Sequence, residues 1–187
     1  MWVKRVMAGR RAALAAALCS IAAGAATGGC SSRPTPVDVR IVDHGALMKT
    51  VKKHRGKVVV LDCWSTSCPP CVRDFPGMVA LAKRYPDVAW LSLSFDFEGI
   101  GAPEEALPRV REFLTDVGAG GIDNMLGKEH SDGLYKKLGL ASVPAVYVWG
   151  RDGKLARRFD EDDTARRLGR PFTSADVEAA VKELLGR

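Results

Sequence analysis

Three of the chain's five cysteines lie within the segment VVVLDCWSTSCPPCVRDFP, residues 58–76. Two of them, Cys68 and Cys71, are separated only by a pair of prolines. A Cys-x-x-Cys pair brings two sulfurs within reach of each other and is typical of reversible thiol–disulfide chemistry. The pair alone is also compatible with an inert disulfide or with half of a metal site.

The rest of the sequence does not favour a metal site. Structural zinc requires four Cys or His ligands, and no second Cys-x-x-Cys pair exists. The three histidines have no ligand spacing to one another or to the cysteine pair: His44, His54 and His130. We therefore expect no metal and no other cofactor.

The position of the pair predicts a division of labour between its sulfurs. The apolar run KVVVLDCW, residues 57–64, is typical of a buried strand, and helical periodicity runs from Pro69 to about Tyr85. Cys68 therefore lies at a helix N-terminus, whose partial positive charge lowers the pKa of a thiol. We expect Cys68 to attack a partner disulfide and Cys71, one turn deeper, to resolve the mixed disulfide.

The two prolines between the cysteines affect the reactivity of Cys68. Proline has no N–H group, so Pro69 and Pro70 cannot donate hydrogen bonds to the Cys68 thiolate, and the N–H of Cys71 is the main donor left. Weaker stabilisation of the thiolate predicts a reducing or intermediate potential.

Two further side chains of the predicted strand have unusual positions. Asp62 lies within the apolar run, where burial of a carboxylate is costly, so its pKa should be raised. Strand alternation turns Cys63 to the opposite face, where a buried cysteine is usually a small inert hydrophobe. A regulatory thiol is the alternative for Cys63.

The remaining patterns predict a single α/β domain with the order β-α-β-α-β-α-β-β-α. A helix should begin after Pro108 and end at Gly118, and a short strand should run from Ile122 to Leu126. A hairpin is predicted in VPAVYVWGRDGKLARRF, residues 143–159. Thr173 and Asp176 form a predicted capping box for the C-terminal helix.

This order resembles the thioredoxin fold, a central mixed sheet with helices on both faces. Within that superfamily the chain resembles the exported TlpA/ResA-like thiol–disulfide oxidoreductases, from about Val37 to the C-terminus. The resemblance depends on DCWSTSCPPC, on CVRDFP after the pair, and on SVPAVYVWGRDGKL. Ser67 departs from the family, in which Trp usually precedes the first cysteine.

The resemblance implies roles for three residues outside the pair. Asp62 matches the buried acid of thioredoxin, which implies that it accepts the proton of Cys71; a strand-end Asp bonded to the backbone is the alternative. Asp74 matches a family Glu near the site, and a solvated acid of the first helical turn is the alternative. Pro144 matches the family's cis-proline, which faces the cysteine pair and offers backbone to the substrate.

The N-terminus is typical of an export signal. Residues 1–29 combine a basic start with a short apolar run and end in two glycines before Cys30. This pattern resembles the lipobox of bacterial lipoproteins, which implies cleavage before Cys30 and a lipid on its sulfur. An ordinary cleaved signal and an uncleaved anchor are the alternatives.

A lipoprotein signal would give three parts to the chain. Residues 1–29 would be removed, residues 30–36 would form a lipidated tether, and residues 37–187 would form the thioredoxin-like domain. The signal carries four of the basic residues and no acids, so the net charge of +6 largely belongs to it and does not favour a nucleic-acid partner.

Together these features predict a membrane-tethered extracytoplasmic thiol–disulfide oxidoreductase, facing the periplasm or the cell exterior. Its substrates would be protein thiols and disulfides. A reductant, general or serving cytochrome c maturation, is favoured over an oxidant, and the resemblance implies a membrane electron donor. The alternatives are a thiol peroxidase of peroxiredoxin type and a non-catalytic thioredoxin-like lipoprotein that binds a partner or metal.

Overall fold

A six-stranded mixed sheet organises the protein. The structure, a computed structural model, describes residues 36–186. The strands are β1 Arg40–Val42, β2 Val59–Trp64, β3 Ala89–Ser94, β4 Asp123–Gly127, β5 Ala145–Trp149 and β6 Leu155–Phe159. Their spatial order is β1-β4-β3-β2-β5-β6, in which β1 to β4 are mutually parallel. Strand β5 pairs antiparallel with β2, and β6 pairs antiparallel with β5.

In the described part of the chain, six α-helices connect or follow these strands. They are α1 His44–Lys53, α2 Pro69–Arg84, α3 Leu107–Asp116, α4 Ser131–Leu138, α5 Glu161–Leu168 and α6 Ser174–Leu185. Short 3₁₀ turns occupy Pro103–Ala106 and Ala119–Gly121. The predicted fold class is confirmed: helices pack on both faces of a mixed sheet.

Strand β2 is buried along its whole length, as its β-branched run predicts. Alternation sends Val60 and Trp64 into the core beneath α2, α3 and α6, whereas Leu61 and Cys63 enter the core beneath α1 and α4. Asp62 therefore lies on the α2 face of the sheet, opposite Cys63.

Three elements were missing from the predicted order: β1, α1 and α5. Strand β1 has only three residues, too few for a periodic signal. Helix α1 is capped by Asp43, whose carboxylate accepts the Ala46 N–H at 2.7 Å, but a glycine in its first turn obscures it. Helix α5, EDDTARRL, is almost entirely polar, and its two apolar residues are too few to indicate a helix.

Two predicted boundaries were also displaced. Helix α3 begins at Leu107, before Pro108 rather than after it. A proline is well tolerated in the first helical turn, where its missing N–H would have had no partner. Strand β4 is shifted by one residue to Asp123–Gly127, whereas the hairpin and the capping box of α6 are confirmed.

The topology gathers several chain segments at one edge of the sheet. Parallel strands β2 and β3 end there, α2 begins there, and antiparallel β5 starts there. The cysteine pair, the segment after β3 and the Val143–Pro144 peptide therefore meet at this edge.

The predictions made for the N-terminal segment lie outside the described residues. These are the signal in residues 1–29, most of the tether, and lipidation of Cys30. Within residues 36–186, none of the helices combines the length and the apolar character that crossing a bilayer requires.

Candidate active site

Cys68 and Cys71 form a disulfide at the start of α2, with their Cα atoms 5.3 Å apart. Cys68 is the N-cap residue, and the two prolines occupy the first helical positions. The Cys71 N–H points at the Cys68 sulfur, with 3.3 Å between nitrogen and Sγ. Because neither proline can donate, this is the donor expected from the sequence.

The two sulfurs differ in accessibility. Cys71 is only 3% exposed and packs in the core beneath α2, whereas Cys68 is half-buried at the surface. A partner can therefore approach Cys68 more readily than Cys71. This arrangement is compatible with the predicted roles of attacking and resolving cysteine.

The Val143–Pro144 peptide bond is cis and lies against the cysteine pair. The carbonyl oxygen of Val143 is 3.6 Å from Cys68 Sγ. Ala145, the first residue of β5, pairs with Cys63 at the end of β2, and this register holds Pro144 beside the site.

Asp62 and Cys71 line one small cavity together with Asp74 and Pro144. Asp62 is 8% exposed, and no hydrogen bond to its carboxyl group is found within residues 36–186. Burial, assisted by the charge of Asp74, raises the pKa of Asp62 to about 7. A carboxyl group with this pKa can exchange a proton near neutral pH.

Asp74 has a mixed environment. Its carboxylate lines the cavity of Asp62, but it also forms a bidentate pair with Arg73 at 2.8 and 2.9 Å. Both side chains are substantially exposed at this pair. The negative charge of Asp74 contributes to the raised pKa of Asp62.

An aromatic cluster packs in the core that contains Cys71. The Trp64 ring lies 4.9 Å from that of Phe75 and 4.8 Å from that of Phe113, centroid to centroid. All three side chains pack in the same core as Cys71. Trp64 is therefore well placed to report the redox state of the disulfide.

Cys63 is a free thiol that is fully buried in the other core. Burial, with a smaller effect from the charge of Asp62, raises the pKa of its thiol well above the usual value. A neutral, inaccessible thiol is a poor nucleophile, so this environment favours the inert interpretation over a regulatory one.

A polar cluster that no local sequence pattern predicts lies next to the pair. Asp96, Thr66 and Arg109 are joined by hydrogen bonds behind the turn that precedes Cys68. Asp96 comes two residues after the end of β3, at the same sheet edge as the pair. An acid within the apolar stretch LSLSFDF was the available signal.

Two open depressions flank the turn before Cys68. One, of about 330 Å³, is lined by Cys68, Val143, His130 and Tyr135 among others. The second, of about 480 Å³, is lined by Asp96, Arg109 and the strongly exposed Ile100. Ser67 and Glu98 line both.

No protein-family model matches the chain. Thiol-disulfide oxidoreductase ResA of Bacillus thuringiensis subsp. konkukian is 24% identical over 120 residues, which are 63% of this chain and 63% of that relative. A ResA of Bacillus cereus matches to the same extent. The chain thus spans less than two thirds of the length of these curated relatives.

Solved structures establish the fold. A thiol:disulfide interchange protein of the thioredoxin family from Chlorobium tepidum superimposes with a TM-score of 0.53 and 19% identity, over 82% of this chain and 98% of that one. The exposed lipoprotein thioredoxin of Streptococcus pneumoniae superimposes with a TM-score of 0.52 and 19% identity, over 72% of this chain and 90% of that one. At these identities the likeness shows a shared fold.

The raised pKa of Asp62 predicts a pH-dependent effect of the Asp62→Asn substitution on stability. The folded carboxyl titrates near pH 7, whereas an unfolded one titrates near about 3.9. The native protein therefore binds the extra proton between these values and loses stability as pH rises through them. Urea denaturation should show the variant gaining about 1–3 kcal/mol relative to the wild type between about pH 4 and pH 7.

The diagnostic quantity is how the difference in free energy of unfolding between Asp62→Asn and wild type changes with pH, since any packing cost of the amide is independent of pH. Asp74→Asn is the matched control: it removes the second cause of the shift, so the titration of Asp62 should move to lower pH. A difference between Asp62→Asn and wild type that stays constant from about pH 4 to pH 8 would contradict a neutral buried carboxyl.

Proposed function

We propose that the chain, which has a thioredoxin fold and is similar to ResA, is a thiol–disulfide oxidoreductase acting on protein thiols and disulfides. One observation carries the proposal. The Cys68–Cys71 disulfide caps α2 beside a cis-proline, with the half-buried sulfur outward and the buried sulfur next to a carboxyl of raised pKa.

In the reducing direction, the dithiol form begins the reaction. The Cys68 thiolate attacks one sulfur of a substrate disulfide; a Cys68–substrate disulfide forms, and the other substrate sulfur leaves as a thiolate. The helix N-terminus and the Cys71 N–H stabilise the attacking thiolate. The Val143 carbonyl and the neighbouring cis peptide lie where the substrate backbone would approach.

Cys71 completes the exchange. Its thiol gives a proton to the Asp62 carboxylate, and the resulting thiolate attacks Cys68 Sγ. The mixed disulfide breaks, the second substrate sulfur leaves and is protonated, and the Cys68–Cys71 disulfide forms. Two electrons pass from the protein to the substrate, so a further dithiol donor must reduce the pair before the next cycle.

We propose that the physiological direction is reduction. Two of the first helical positions are prolines, so the Cys68 thiolate receives one backbone N–H instead of several. A less stabilised thiolate corresponds to a more reducing pair, since strong oxidants owe their potential to a stabilised reduced form. A general reductant and a cytochrome c maturation factor would both use this site, and each would need a membrane electron donor.

We propose an extracytoplasmic location with a lipid anchor on Cys30. The basic and apolar residues before Cys30 support export, and the structural relative from Streptococcus pneumoniae is described as an exposed lipoprotein. In this arrangement residues 1–29 are removed, residues 30–36 form the tether and residues 37–187 form the catalytic domain.

Substitutions of single cysteines test the reaction. Cys68→Ser should abolish reduction of a disulfide substrate, because the accessible nucleophile is lost. Cys71→Ser should accumulate a mixed disulfide between Cys68 and the substrate, visible by mass spectrometry under non-reducing conditions. Cys63→Ser is the matched control and should retain the wild-type rate.

Retention of full activity by Cys68→Ser would contradict the proposal. Rapid consumption of hydrogen peroxide by the wild type would favour the peroxidase alternative. Absence of both activities in folded wild-type protein would favour the non-catalytic alternative.

The reduction potential of the pair decides the direction. We expect the Cys63→Ser protein, followed by Trp64 fluorescence in defined thiol buffers, to give a value near that of thioredoxin, about −270 mV. A value near about −120 mV, typical of a strong oxidant, would overturn the reductant assignment and leave the exchange chemistry itself intact.

Lipidation can be tested in cells. The full-length protein should incorporate a labelled fatty acid and sediment with membranes, because a thioether-linked lipid would hold it there. Cys30→Ala should lose the label, whereas Cys19→Ala should keep it. Labelling that persists in Cys30→Ala would exclude Cys30 as the anchor.

A further inference from the structure

Asp96 is a buried carboxylate for which the exchange reaction described above has no role. Its side chain is 1% exposed. It accepts the Thr66 N–H at 3.2 and 3.1 Å and the Ser94 hydroxyl at 2.6 Å, and it also accepts the Thr66 hydroxyl. Arg109 completes the set, with its Nε 3.2 Å from Asp96 Oδ1.

Thr66 belongs to the turn that delivers Cys68 to the start of α2. In this turn the Cys68 N–H donates to the Ser65 carbonyl at 3.2 Å, and the Ser67 N–H donates to the Ser65 hydroxyl at 3.2 Å. The Ser65 and Ser67 hydroxyls are 2.8 Å apart. These bonds are all internal to the turn, so Asp96 connects it to strand β3 and helix α3.

We propose that Asp96 is a positioning residue for the exchange reaction: acting through Thr66, it fixes the Ser65–Ser67 turn and thereby the direction in which Cys68 presents its sulfur. Arg109 neutralises the carboxylate in that place. This inference rests on the proposed function and names two of the residues that tune its attacking cysteine.

A carboxylate suits this position better than an amide. Both of its oxygens accept, so backbone N–H, two hydroxyls and a guanidinium can be satisfied together. In Asp96→Asn one carboxylate oxygen becomes an NH₂ group. This group faces other hydrogen-bond donors, so some of the donors that Asp96 accepts from are left without an acceptor. The turn should then lose its fixed position.

The charge of Asp96 has a separate consequence. An uncompensated carboxylate behind the turn would disfavour a negative sulfur on Cys68. Arg109 is half exposed, yet it pairs with Asp96 from α3 and also donates to the Asp96 carbonyl. Its removal should leave the hydrogen bonds to Thr66 in place while exposing Cys68 to the carboxylate charge.

Other charged or titratable groups near the pair are unchanged in both substitutions. Glu98, His130 and Tyr135 line the depression that contains Cys68, while Asp62 and Asp74 line the cavity of Cys71, and Arg73 pairs with Asp74. Differences between the variants can therefore be assigned to the Asp96–Arg109 pair.

The two substitutions should have different signatures in the reduced protein. The rate of Cys68 alkylation by iodoacetamide, followed by peptide mass spectrometry across pH, gives both the thiol pKa and the limiting rate of the thiolate. Arg109→Gln should raise the Cys68 pKa, because the Asp96 charge is no longer neutralised, and alkylation near neutral pH should fall by up to about tenfold. Asp96→Asn should lower the limiting rate of exchange with a disulfide substrate about tenfold, without raising that pKa.

Controls separate positioning from folding. Arg111→Gln changes an exposed arginine on the same helix and should match the wild type. Thr66→Val removes one donor to Asp96 and should resemble Asp96→Asn in a milder form, whereas Thr66→Ser keeps the hydroxyl and should restore the rate. If Asp96→Asn does not fold, comparison of Thr66→Val with Thr66→Ser decides whether the Thr66–Asp96 contact positions Cys68.

The proposal would be overturned if Asp96→Asn and Arg109→Gln both kept the wild-type Cys68 pKa and the wild-type limiting rate of exchange and were only less stable. Equal rates in Thr66→Val and Thr66→Ser would also overturn it. Failure of the wild type to exchange with disulfides would overturn the proposed function instead, while the Cys68 alkylation profiles would still decide whether Asp96 and Arg109 control this sulfur.

Discussion

The burial of β2 on both faces is the constraint on which the rest of the structure depends. A strand covered on two sides must alternate its side chains between two cores, so Asp62 and Cys63 have opposite environments although they are adjacent. The same strand ends where α2 begins, which places Cys68 at a helix N-terminus and Cys71 over the Asp62 cavity. Site geometry and sheet geometry are therefore set together.

Local patterns in the sequence predicted the parts of the site that are local in the chain. The order of β2, the cysteine pair and α2 followed from one apolar run and one helical period. The Asp96 cluster could not be predicted in this way, because it joins residues 66, 96 and 109 from separate elements. Helix α5 was not predicted for a different reason: its sequence is polar except for two residues, which are too few to indicate a helix. Asp160 caps this helix by accepting the Asp163 N–H at 2.8 Å.

Two acids illustrate how environment rather than residue type determines chemistry. Asp62 finds no hydrogen-bond donor within the described chain and has a raised pKa, so it can hold or release a proton near neutrality. Asp96 is equally buried but is surrounded by donors from three elements. The first arrangement suits proton transfer, and the second suits the fixing of a backbone turn.

The disulfide closes a very short stretch of chain, since its cysteines are three residues apart. A crosslink this local removes little conformational entropy from the unfolded chain compared with one that spans a long loop. The disulfide joins no two strands and so does not set the sheet register. The pair can therefore open and close while the surrounding scaffold stays folded, so that the free energy of each redox cycle is set by the sulfurs and the groups that contact them rather than by refolding.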